Sequence, residues 1–321
     1  IHGGWQSRDA DASRVLPSLQ AHAEAGITAF ETSDTYAGGE EVLGRFLRQR
    51  RADSSHPLRV HTRYTVGRNA ALPDKTGVEA AIDSALSRLG IERIDLMQLQ
   101  WWPAPGPRMI EFAGWLSELA DSGKIAHLGV TNFSTRMLSD LTSAGIAIIS
   151  NQVQYSLIDR RAGAAMADYC RRHGVALLAY GPLAGGFLTA TWRGRDDPRS
   201  AGKPMLFSPE YRLMIDLFGG WARYQELLTT LDGIAAMHNV GLPSVAARWV
   251  LDRPSVKAVL LGASSARNLA QNLALLDFNM TAAERRAIDD VLARNTPPSG
   301  DIGELERDPD GPLLGLIKSA G

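Results

Sequence analysis

Short apolar runs alternate with amphipathic, helix-like stretches along almost all of this 321-residue chain. Eight runs have the length and character of buried strands: residues 1–4, 27–30, 58–62, 94–99, 126–130, 146–153, 175–180 and 256–261. Between the runs, apolar residues recur every third or fourth position, as Val78, Ile82, Leu86 and Leu89 do after the third run. Strands that alternate with helices predict a parallel sheet, because each helix returns the chain to the same edge.

Two architectures contain such a sheet. A doubly wound sheet that binds a dinucleotide carries a G-x-G-x-x-G motif after an early strand, and this chain has no such motif. A closed barrel needs about eight strand–helix units and a chain of this length. We therefore predict an α/β fold, a single (β/α)8 TIM barrel domain over residues 1–321.

Three features extend this barrel. Residues 183–220 are expected to form a long, irregular, lid-like loop after the seventh predicted strand, because they exceed an ordinary connection. A capping-box sequence at Thr281 predicts one additional C-terminal helix. Residues 295–321 are expected to form a C-terminal tail, whose charged part at 300–308 is interpreted as solvated surface.

Composition argues against several classes of function. The chain is 45% hydrophobic and 21% charged, with a net charge of -1 and a pI of about 6.7. This balance does not favour a nucleic acid or an anionic membrane surface as partner. No apolar run approaches the roughly 18 residues of a membrane-spanning helix. The lone Cys170, expected to be buried in a helix, cannot form an intrachain disulfide, so we predict a cytoplasmic protein.

Polar and aromatic residues follow the predicted strands, where a barrel carries its chemistry. The second strand leads into Glu31, with Tyr36 five residues later, and the third leads into Arg63. The residues that follow the other strands include Trp5, Gln100, Trp101, Trp102, Asn132, Phe133, Gln152, Tyr180 and Gly262. Such a ring is typical of a cofactor pocket and not of a plain core.

Six stretches, in this order and at these spacings, resemble the aldo-keto reductases. They are residues 26–36, 94–99, 123–134, 151–155, 179–183 and 260–272. The resemblance covers nearly the whole chain. It implies an oxidoreductase on a barrel scaffold that acts on a small molecule and binds a nicotinamide cofactor, usually NADP(H), without a Rossmann motif.

The resemblance also implies roles in cofactor binding. Asn132 and Gln152 would hold the carboxamide, which needs both a donor and an acceptor, and Tyr180 would stack on the nicotinamide. The residues expected along the pyrophosphate are Gly181, Leu183 and Gly185. The residues expected near the adenosine end are Gly262, Ser264, Arg267, Gln271 and Asn272. Arg267 fits a 2′-phosphate, because guanidinium and phosphate pair in bidentate fashion.

The catalytic positions depart from the family pattern. The family uses Asp, Tyr, Lys and His, and these positions hold Glu31, Tyr36, Arg63 and Gln100 here, so only the tyrosine is retained. A phenol with a pKa near 10 donates a proton poorly unless a cation favours its phenolate. Arg63, paired with Glu31, is expected to lower the pKa of Tyr36 by its charge, although it cannot shuttle a proton. Gln100 can donate a hydrogen bond to a carbonyl oxygen but cannot become cationic.

Three functional hypotheses follow. In the first, an NADP(H)-dependent reductase uses Tyr36 as proton donor on a carbonyl or a conjugated enone of a specialised metabolite. In the second, the scaffold performs non-redox lyase, cyclase or isomerase chemistry, with Glu31, Tyr36 and Arg63 as acid–base groups. In the third, the chain binds cofactor without catalysis and acts as a sensor subunit.

Aromatic residues suggest the substrate. Trp5, Trp101, Trp102 and Phe133 are expected around the barrel mouth and favour a bulky, apolar or aromatic small molecule. No group of His, Cys, Asp and Glu has the spacing of a metal site, so no metal is expected. The sequence leaves the oligomeric state open.

Overall fold

The computed structural model describes residues 12–50, 57–163, 165–201, 209–296, 298–313 and 316. Within these residues, seven parallel strands form one sheet, in the order in which they occur along the chain. They are β1 (Ala29–Glu31), β2 (Arg59–Val66), β3 (Leu96–Trp101), β4 (Leu128–Thr131), β5 (Ser150–Gln154), β6 (Ala176–Tyr180) and β7 (Val256–Val259). This α/β arrangement is consistent with the predicted (β/α)8 barrel. The first predicted strand, at residues 1–4, lies outside the described residues.

Helices connect and follow these strands. The described ranges are α1 (Ala12–Glu24), α2 (Gly39–Arg50), α3 (Lys75–Leu89), α4 (Pro107–Asp121), α5 (Thr135–Ser143), α6 (Ala165–His173), α7 (Pro209–Phe218), α8 (Gly220–His238), α9 (Leu242–Leu251), α10 (Leu269–Ala274), α11 (Ala282–Ala293) and α12 (Glu304–Arg307). The capping box predicted at Thr281 is present: Thr281 Oγ1 accepts from the Glu284 N–H, and Glu284 Oε2 accepts from the Thr281 N–H. The two bonds satisfy donors that a helix start leaves unpaired.

Two strands extend beyond the apolar runs that predicted them. β2 continues through Arg63 to Val66, and β3 includes Gln100 and Trp101, so these residues lie inside strands and not after them. Arg63 pairs in register with Gln98 of β3. Strand pairing uses backbone N–H and C=O groups whatever the side chain, so it continues after the apolar pattern has ended.

The described residues divide into two compact units. The N-terminal unit comprises residues 12–152 and 263–266, and the C-terminal unit comprises residues 153–262 and 267–316. The division falls within β5, after Gln152. A single barrel domain over the whole chain stays a prediction.

In the N-terminal unit, alternation along the strands separates a helix-covered face from a polar face. Phe112 of α4 contacts the rings of Tyr64 on β2 and Trp101 on β3, with ring centroids 5.7 and 5.4 Å apart. Arg63 and Gln100, one position away from those rings, therefore point to the opposite face. The two residues predicted to be catalytic on these strands thus share one side of the sheet.

In the C-terminal unit, the stretch predicted as an irregular loop at 183–220 contains the regular helix α7. Buried Arg212 of this helix pairs with Asp197 and, at 2.7 Å, with Asp216, and its guanidinium carbon lies 5.2 Å from the centre of a Trp221 ring. The buried face of α7 thus carries a paired arginine at a position where helical periodicity favours an apolar residue. That the segment acts as a lid stays a prediction.

The charged tail at 300–308 is not solvated throughout, which corrects the sequence-based interpretation. Glu306 of α12 is buried and pairs with buried Arg161 at 2.6 Å, and Arg161 also pairs with buried Asp159 at 2.7 Å. A buried arginine requires carboxylate partners, and the tail supplies one of them. Cys170 is buried, as predicted. No helix in the described part of the chain has both the length and the apolar character to cross a membrane.

Candidate active site

Arg63 connects the other three residues predicted to be catalytic. Its Nη2 donates to Glu31 Oε1 at 3.0 Å and to Tyr36 Oη at 2.8 Å, and its Nη1 donates to Gln100 Oε1 at 3.1 Å. The side chains of Arg63 and Glu31 are only 8% and 9% exposed. The structure therefore brings together four residues that sequence reasoning selected separately, although their catalytic roles stay predictions.

Arg63 keeps its charge in this buried position. Burial alone would lower the pKa of Arg63, but the Glu31 carboxylate and the Tyr36 hydroxyl together raise it above its ordinary value. The Glu31–Arg63 pair therefore keeps one anion and one cation where the family has Asp and Lys. The planar guanidinium contacts three partners at once, which an ammonium group on a lysine stem does with less directional control.

Tyr36 lies in the loop between β1 and α2, and local backbone bonds fix its position. The Tyr36 N–H donates to Ser33 O at 3.1 Å, and the Gly39 N–H donates to Tyr36 O at 2.9 Å. A Cβ at Gly39 would lie 2.7 Å from Thr32 Oγ1 and 3.0 Å from Tyr36 Cβ. Only glycine therefore allows the start of α2 to pack this closely against the loop.

The pKa of the Tyr36 phenol is raised above its ordinary value of 10.0, which corrects the expectation that Arg63 would lower it. Burial is the largest cause, because a phenolate loses solvation away from water. The charge of Arg63 acts in the expected direction and lowers the pKa, but burial outweighs it, and Glu31 opposes it. The phenol therefore holds its proton at neutral pH.

Asn132 and Gln152, expected to hold a carboxamide, lie in the same unit. Asn132 directly follows β4 in a left-handed conformation with φ 55°, which asparagine adopts more readily than most residues. Its N–H donates to Gln152 O at 2.9 Å. Gln152 Nε2 donates to Glu31 Oε1 at 3.3 Å, which places Gln152 beside the Arg63 group. An amide side chain and a backbone in this setting fit a carboxamide, which both donates and accepts.

The residues expected along the pyrophosphate lie in the C-terminal unit. Tyr180 at the end of β6 and Leu183 are half-buried. Gly181 and Gly185 have φ values of 65° and 62°, and a Cβ at either position would be too close to the Tyr211 ring. The glycines were predicted because they would let a phosphate approach; the structure supplies a second reason, the close packing of a tyrosine from α7.

The residues expected at the adenosine end are accessible to a ligand. Gly262, Ser264 and Arg267 are exposed, whereas Gln271 and Asn272 are half-buried at α10. A hydroxyl and a guanidinium that remain exposed fit a phosphate group, because both donate hydrogen bonds to its oxygens. That these residues bind the adenosine end of a cofactor stays a prediction.

The aromatic residues expected to contact substrate are buried. Trp101 is 1% exposed and faces α4, away from Gln100, while its Nε1 donates to Ala104 O at 3.2 Å. Trp102 is also buried, and Phe133 has no exposed surface. Trp5 lies outside the described residues. Strand alternation decides the direction of Trp101, because β3 extends two residues past the predicted boundary at residue 99.

Sequence reasoning missed Asp34 and Thr65. Asp34 Oδ2 accepts from the Thr65 N–H at 2.7 Å, and Asp34 Oδ1 accepts from Thr65 Oγ1 at 2.9 Å. These bonds connect the Tyr36 loop to β2. The available signal was the Ser-Asp-Thr sequence immediately before the tyrosine, because aspartate in turns commonly accepts from backbone N–H groups.

Comparison with known proteins gives relatives along most of the chain. The aldo-keto reductase YhdN of Bacillus subtilis is 25% identical over 300 residues, which cover 90% of this chain and 87% of that protein. The NADH-specific methylglyoxal reductase of Escherichia coli is 25% identical over 305 residues, covering 88% and 89%. The aldo-keto reductase yakc [NADP(+)] of Schizosaccharomyces pombe is 25% identical over 317 residues, covering 93% and 89%.

Solved structures agree with these relatives. The glycerol dehydrogenase from Gluconobacter oxydans is 27% identical, has a TM-score of 0.75, and covers 93% of this chain and 91% of its own. An aldo-keto reductase from Klebsiella pneumoniae in complex with NADPH, 23% identical, shares the fold with a TM-score of 0.67 over 93% of this chain and 91% of its own. The family model described as "Aldo/keto reductase family" matches residues 1–293. With most of its length matched by that model, and oxidoreductases among its relatives, this chain belongs to the aldo/keto reductase family.

Proposed function

We propose that this protein is an NADP(H)-dependent reductase of a carbonyl or conjugated enone, with Tyr36 as the proton donor. One observation carries the proposal: Arg63 donates hydrogen bonds to both Tyr36 Oη and Gln100 Oε1. Because a guanidinium has only donors, each neighbour must use its oxygen as the acceptor. The hydroxyl hydrogen of Tyr36 and the amide hydrogens of Gln100 are then the groups left to bind a substrate oxygen.

Two donors that meet one oxygen stabilise the charge that develops on it during reduction. Gln100 supplies a neutral hydrogen bond in the position where the family has histidine. Glu31 anchors Arg63 from the other side and so keeps both donors oriented. Gln100 thus keeps a hydrogen-bond donor at this position, although it cannot become cationic as a histidine can.

The protonation state of Tyr36 favours the reductive direction. A general acid must hold its proton before it transfers it, and burial raises the pKa of this phenol above its ordinary value. The reverse reaction, alcohol oxidation, would need the phenolate as base, which is scarce below pH 10. At neutral pH the site therefore holds the proton that reduction needs. The raised pKa makes Tyr36 a weaker acid than a free phenol, and the charge of Arg63 offsets part of that increase.

The cofactor proposed is NADP(H), which supplies the hydride when bound. Asn132 and Gln152 bind its carboxamide in this proposal, and Tyr180 stacks on the nicotinamide. The relatives include one protein named as NADH-specific and one named for NADP(+), so both nicotinamide cofactors occur among them. The exposed Arg267 favours the phosphorylated form here, because a guanidinium binds a 2′-phosphate in bidentate fashion.

The substrate proposed is a small, uncharged carbonyl compound. The bulky, apolar substrate expected from Trp101, Trp102 and Phe133 gains no support from their positions, because all three are buried. The only cation in contact with Tyr36 among the described residues is Arg63, and Glu31 already neutralises it. Within the part of the chain that the structure describes, a carboxylate on the substrate would find no second cation in contact with the phenol. This charge balance supports ketones, aldehydes or enones over keto acids.

The test combines NADPH with a panel of aldehydes, ketones and enones and follows the nicotinamide absorbance. The Tyr36→Phe variant keeps the ring but removes the proton, and we expect kcat to fall by about 10²–10⁴-fold. The matched control is Tyr64→Phe, on the neighbouring strand, where the ring packs on Phe112. Its kcat should stay within a factor of a few of the unaltered chain.

Three outcomes would contradict the proposal. Equal turnover by Tyr36→Phe and the unaltered chain would remove the phenol from the mechanism. Conversion of a substrate without oxidation of NADPH would support the non-redox hypothesis instead. Binding of NADPH with no turnover across the panel would support a cofactor sensor.

A further inference from the structure

The side chain of Asp34 joins the loop that carries Tyr36 to β2, in addition to two backbone hydrogen bonds, from the Thr32 N–H to His61 O at 2.9 Å and from the Asp34 N–H to Arg63 O at 3.4 Å. Asp34 accepts from the backbone N–H and the hydroxyl of Thr65, at 2.7 and 2.9 Å, and from the hydroxyl of Ser33 at 2.9 Å. We call the Asp34–Thr65 pair the loop clamp. Hydrogen bonds from a backbone N–H to a carboxylate are stronger than neutral ones, because the acceptor is ionised.

We propose that the loop clamp positions the Tyr36 hydroxyl against Arg63 and thereby sets the geometry of proton transfer. Asp34 is in this view a positioning residue and does not contact the substrate. The inference rests on the proposed role of Tyr36 as proton donor, which it deepens.

The spacing along both segments supports this role. Thr65 follows Arg63 by two residues, so both side chains lie on the same face of β2. Asp34 precedes Tyr36 by two residues, and its N–H lies 3.4 Å from Arg63 O. The clamp and the Arg63–Tyr36 hydrogen bond therefore both join the loop to β2, at positions two residues apart on each segment.

The loop has little freedom to adjust if the clamp is lost. Ser33 Oγ accepts from the Thr35 N–H at 3.2 Å and lies 3.0 Å from Thr35 Oγ1. On the far side, Gly39 abuts Thr32 and Tyr36. These bonds are internal to the loop and fix its shape, whereas Asp34 links that shape to β2. Misplacement of a reacting group by about 1 Å lowers a rate by about 10²-fold.

Asp34 also acts on Tyr36 through its charge. The charged groups that act on the phenol are Arg63 from β2, Glu31 from β1 and Asp34 from the loop itself. Arg63 lowers the pKa of Tyr36, whereas Glu31 and Asp34 raise it, after the larger effect of burial. Position and charge must therefore be separated by the choice of variants.

The experiment compares Asp34→Ala, Asp34→Asn and Thr65→Val in the full chain. Alanine removes the clamp and the charge, whereas asparagine removes the charge but keeps an oxygen for the Thr65 N–H. Valine removes only the Thr65 hydroxyl, which provides a milder variant if Asp34→Ala fails to fold. The matched control is Asp95→Ala, because Asp95 accepts from the Val60 N–H at 2.9 Å at the other end of β2.

Three readouts are needed. The first is kcat and KM for carbonyl reduction. The second is the pKa of Tyr36, taken from the difference in tyrosinate absorbance between the unaltered chain and the Tyr36→Phe variant. The third is amide exchange at Thr65. For Asp34→Ala we expect kcat to fall by about 10–10²-fold with NADPH affinity unchanged. We also expect faster exchange at the Thr65 N–H, and a Tyr36 pKa that falls towards 10 because the loop admits water.

The kcat of Asp34→Asn separates the effect of Asp34 on the position of Tyr36 from the effect of its charge. Asp34→Asn should have a kcat close to that of the unaltered chain, whereas its Tyr36 pKa should stay below that of the unaltered chain. Asp95→Ala should change neither kcat nor the Tyr36 pKa. The proposal is overturned if Asp34→Ala leaves kcat and the Tyr36 pKa unchanged. It is also overturned if Asp34→Asn is as impaired as alanine, or if Asp95→Ala loses as much kcat.

Failure of the proposed function can be distinguished from failure of this inference. If the unaltered chain reduces nothing in the panel, the reductase proposal fails. The Tyr36 titration and the Thr65 amide exchange need no substrate, so they still test whether Asp34 holds the phenol in place.

Discussion

Arg63 is the residue on which the other predicted catalytic groups depend. A lysine in its position would present one ammonium to its partners, whereas the guanidinium donates to a carboxylate, a phenol and an amide at once. It cannot pass on a proton, so its contribution is charge and direction. Tyr36 is then the group in this cluster that can donate a proton at neutral pH.

Replacement of Arg63 by methionine tests its electrostatic role. Arg63 lowers the pKa of Tyr36, and its loss leaves Glu31 unpaired beside the phenol, so both changes raise that pKa further. We expect alcohol oxidation, which needs the phenolate, to require a higher pH in Arg63→Met than in the unaltered chain. The measurement is the pH dependence of kcat for oxidation.

Arg63→Lys is the control for this experiment, because it keeps the charge but loses the planar fork. Its pH profile should lie nearer to that of the unaltered chain, with a lower kcat. A profile that does not move in Arg63→Met would show that Arg63 does not set the acidity of Tyr36.

At the scale of elements, the strands extend further than their apolar residues indicate. β2 and β3 carry Arg63 and Gln100 inside the sheet, where backbone pairing holds both residues in register with their neighbours. A side chain on a strand is positioned more rigidly than one on a loop. Tyr36 is the exception, because it lies on a loop and is tied to β2 through Asp34.

Arg161 attaches the C-terminal element α12 by a buried ion cluster. It pairs with Asp159 and Glu306, and the Arg161 and Asp159 side chains have no exposed surface. Arg161→Met would leave two carboxylates buried without a cation, and we expect unfolding free energy to fall by about 3–5 kcal/mol. Denaturant unfolding followed by tryptophan fluorescence measures the change.

The matched control is Arg172→Met in α6. Arg172 pairs with Asp168 at 3.2 Å on the surface, with both side chains more than half exposed, and such pairs contribute little. Equal losses of stability in the two variants would contradict the importance of burial in the Arg161 cluster.

At the scale of the whole molecule, the proposal requires that the chain binds a nicotinamide dinucleotide. NADPH at 100 times its dissociation constant should raise the unfolding free energy by about 2.7 kcal/mol. Arg267→Gln should lose affinity for NADPH by about 10–100-fold, since a hydrogen bond to a charged group contributes about 1.5–3 kcal/mol. Its affinity for NADH should not change, because that cofactor has no 2′-phosphate.

Calorimetry with each cofactor measures this preference. Arg286→Gln, at an exposed position of α11, is the control and should bind both cofactors as the unaltered chain does. An equal loss of NADPH and NADH affinity in Arg267→Gln would assign Arg267 to another role. Absence of binding to either cofactor would remove the basis of the reductase proposal.

Much of the fold could be predicted from local patterns. The periodicity at Val78, Ile82, Leu86 and Leu89 predicted a helix with one buried face. In α3, Val78, Ile82 and Leu89 are buried, whereas Leu86 is half-buried. The boundaries of β2 and β3 could not be predicted in the same way, because pairing depends on a neighbouring strand and not on the residue itself. The helix α7 was missed because Arg212 is buried through its pairing with Asp197, which lies 15 residues away and outside the helix.

The amino-acid sequence alone determined the family and the residue types available for catalysis, because motifs and periodicity are properties of short segments. Only the tertiary structure decided which of these residues meet: Glu31 reaches Arg63 across 32 positions of the chain and Gln152 across 121. It also decided that burial outweighs Arg63 in setting the pKa of Tyr36, and that Trp101 faces a helix. Solvation, strand register and side-chain direction depend on contacts between distant segments, so the pattern of residues in a short segment cannot predict them.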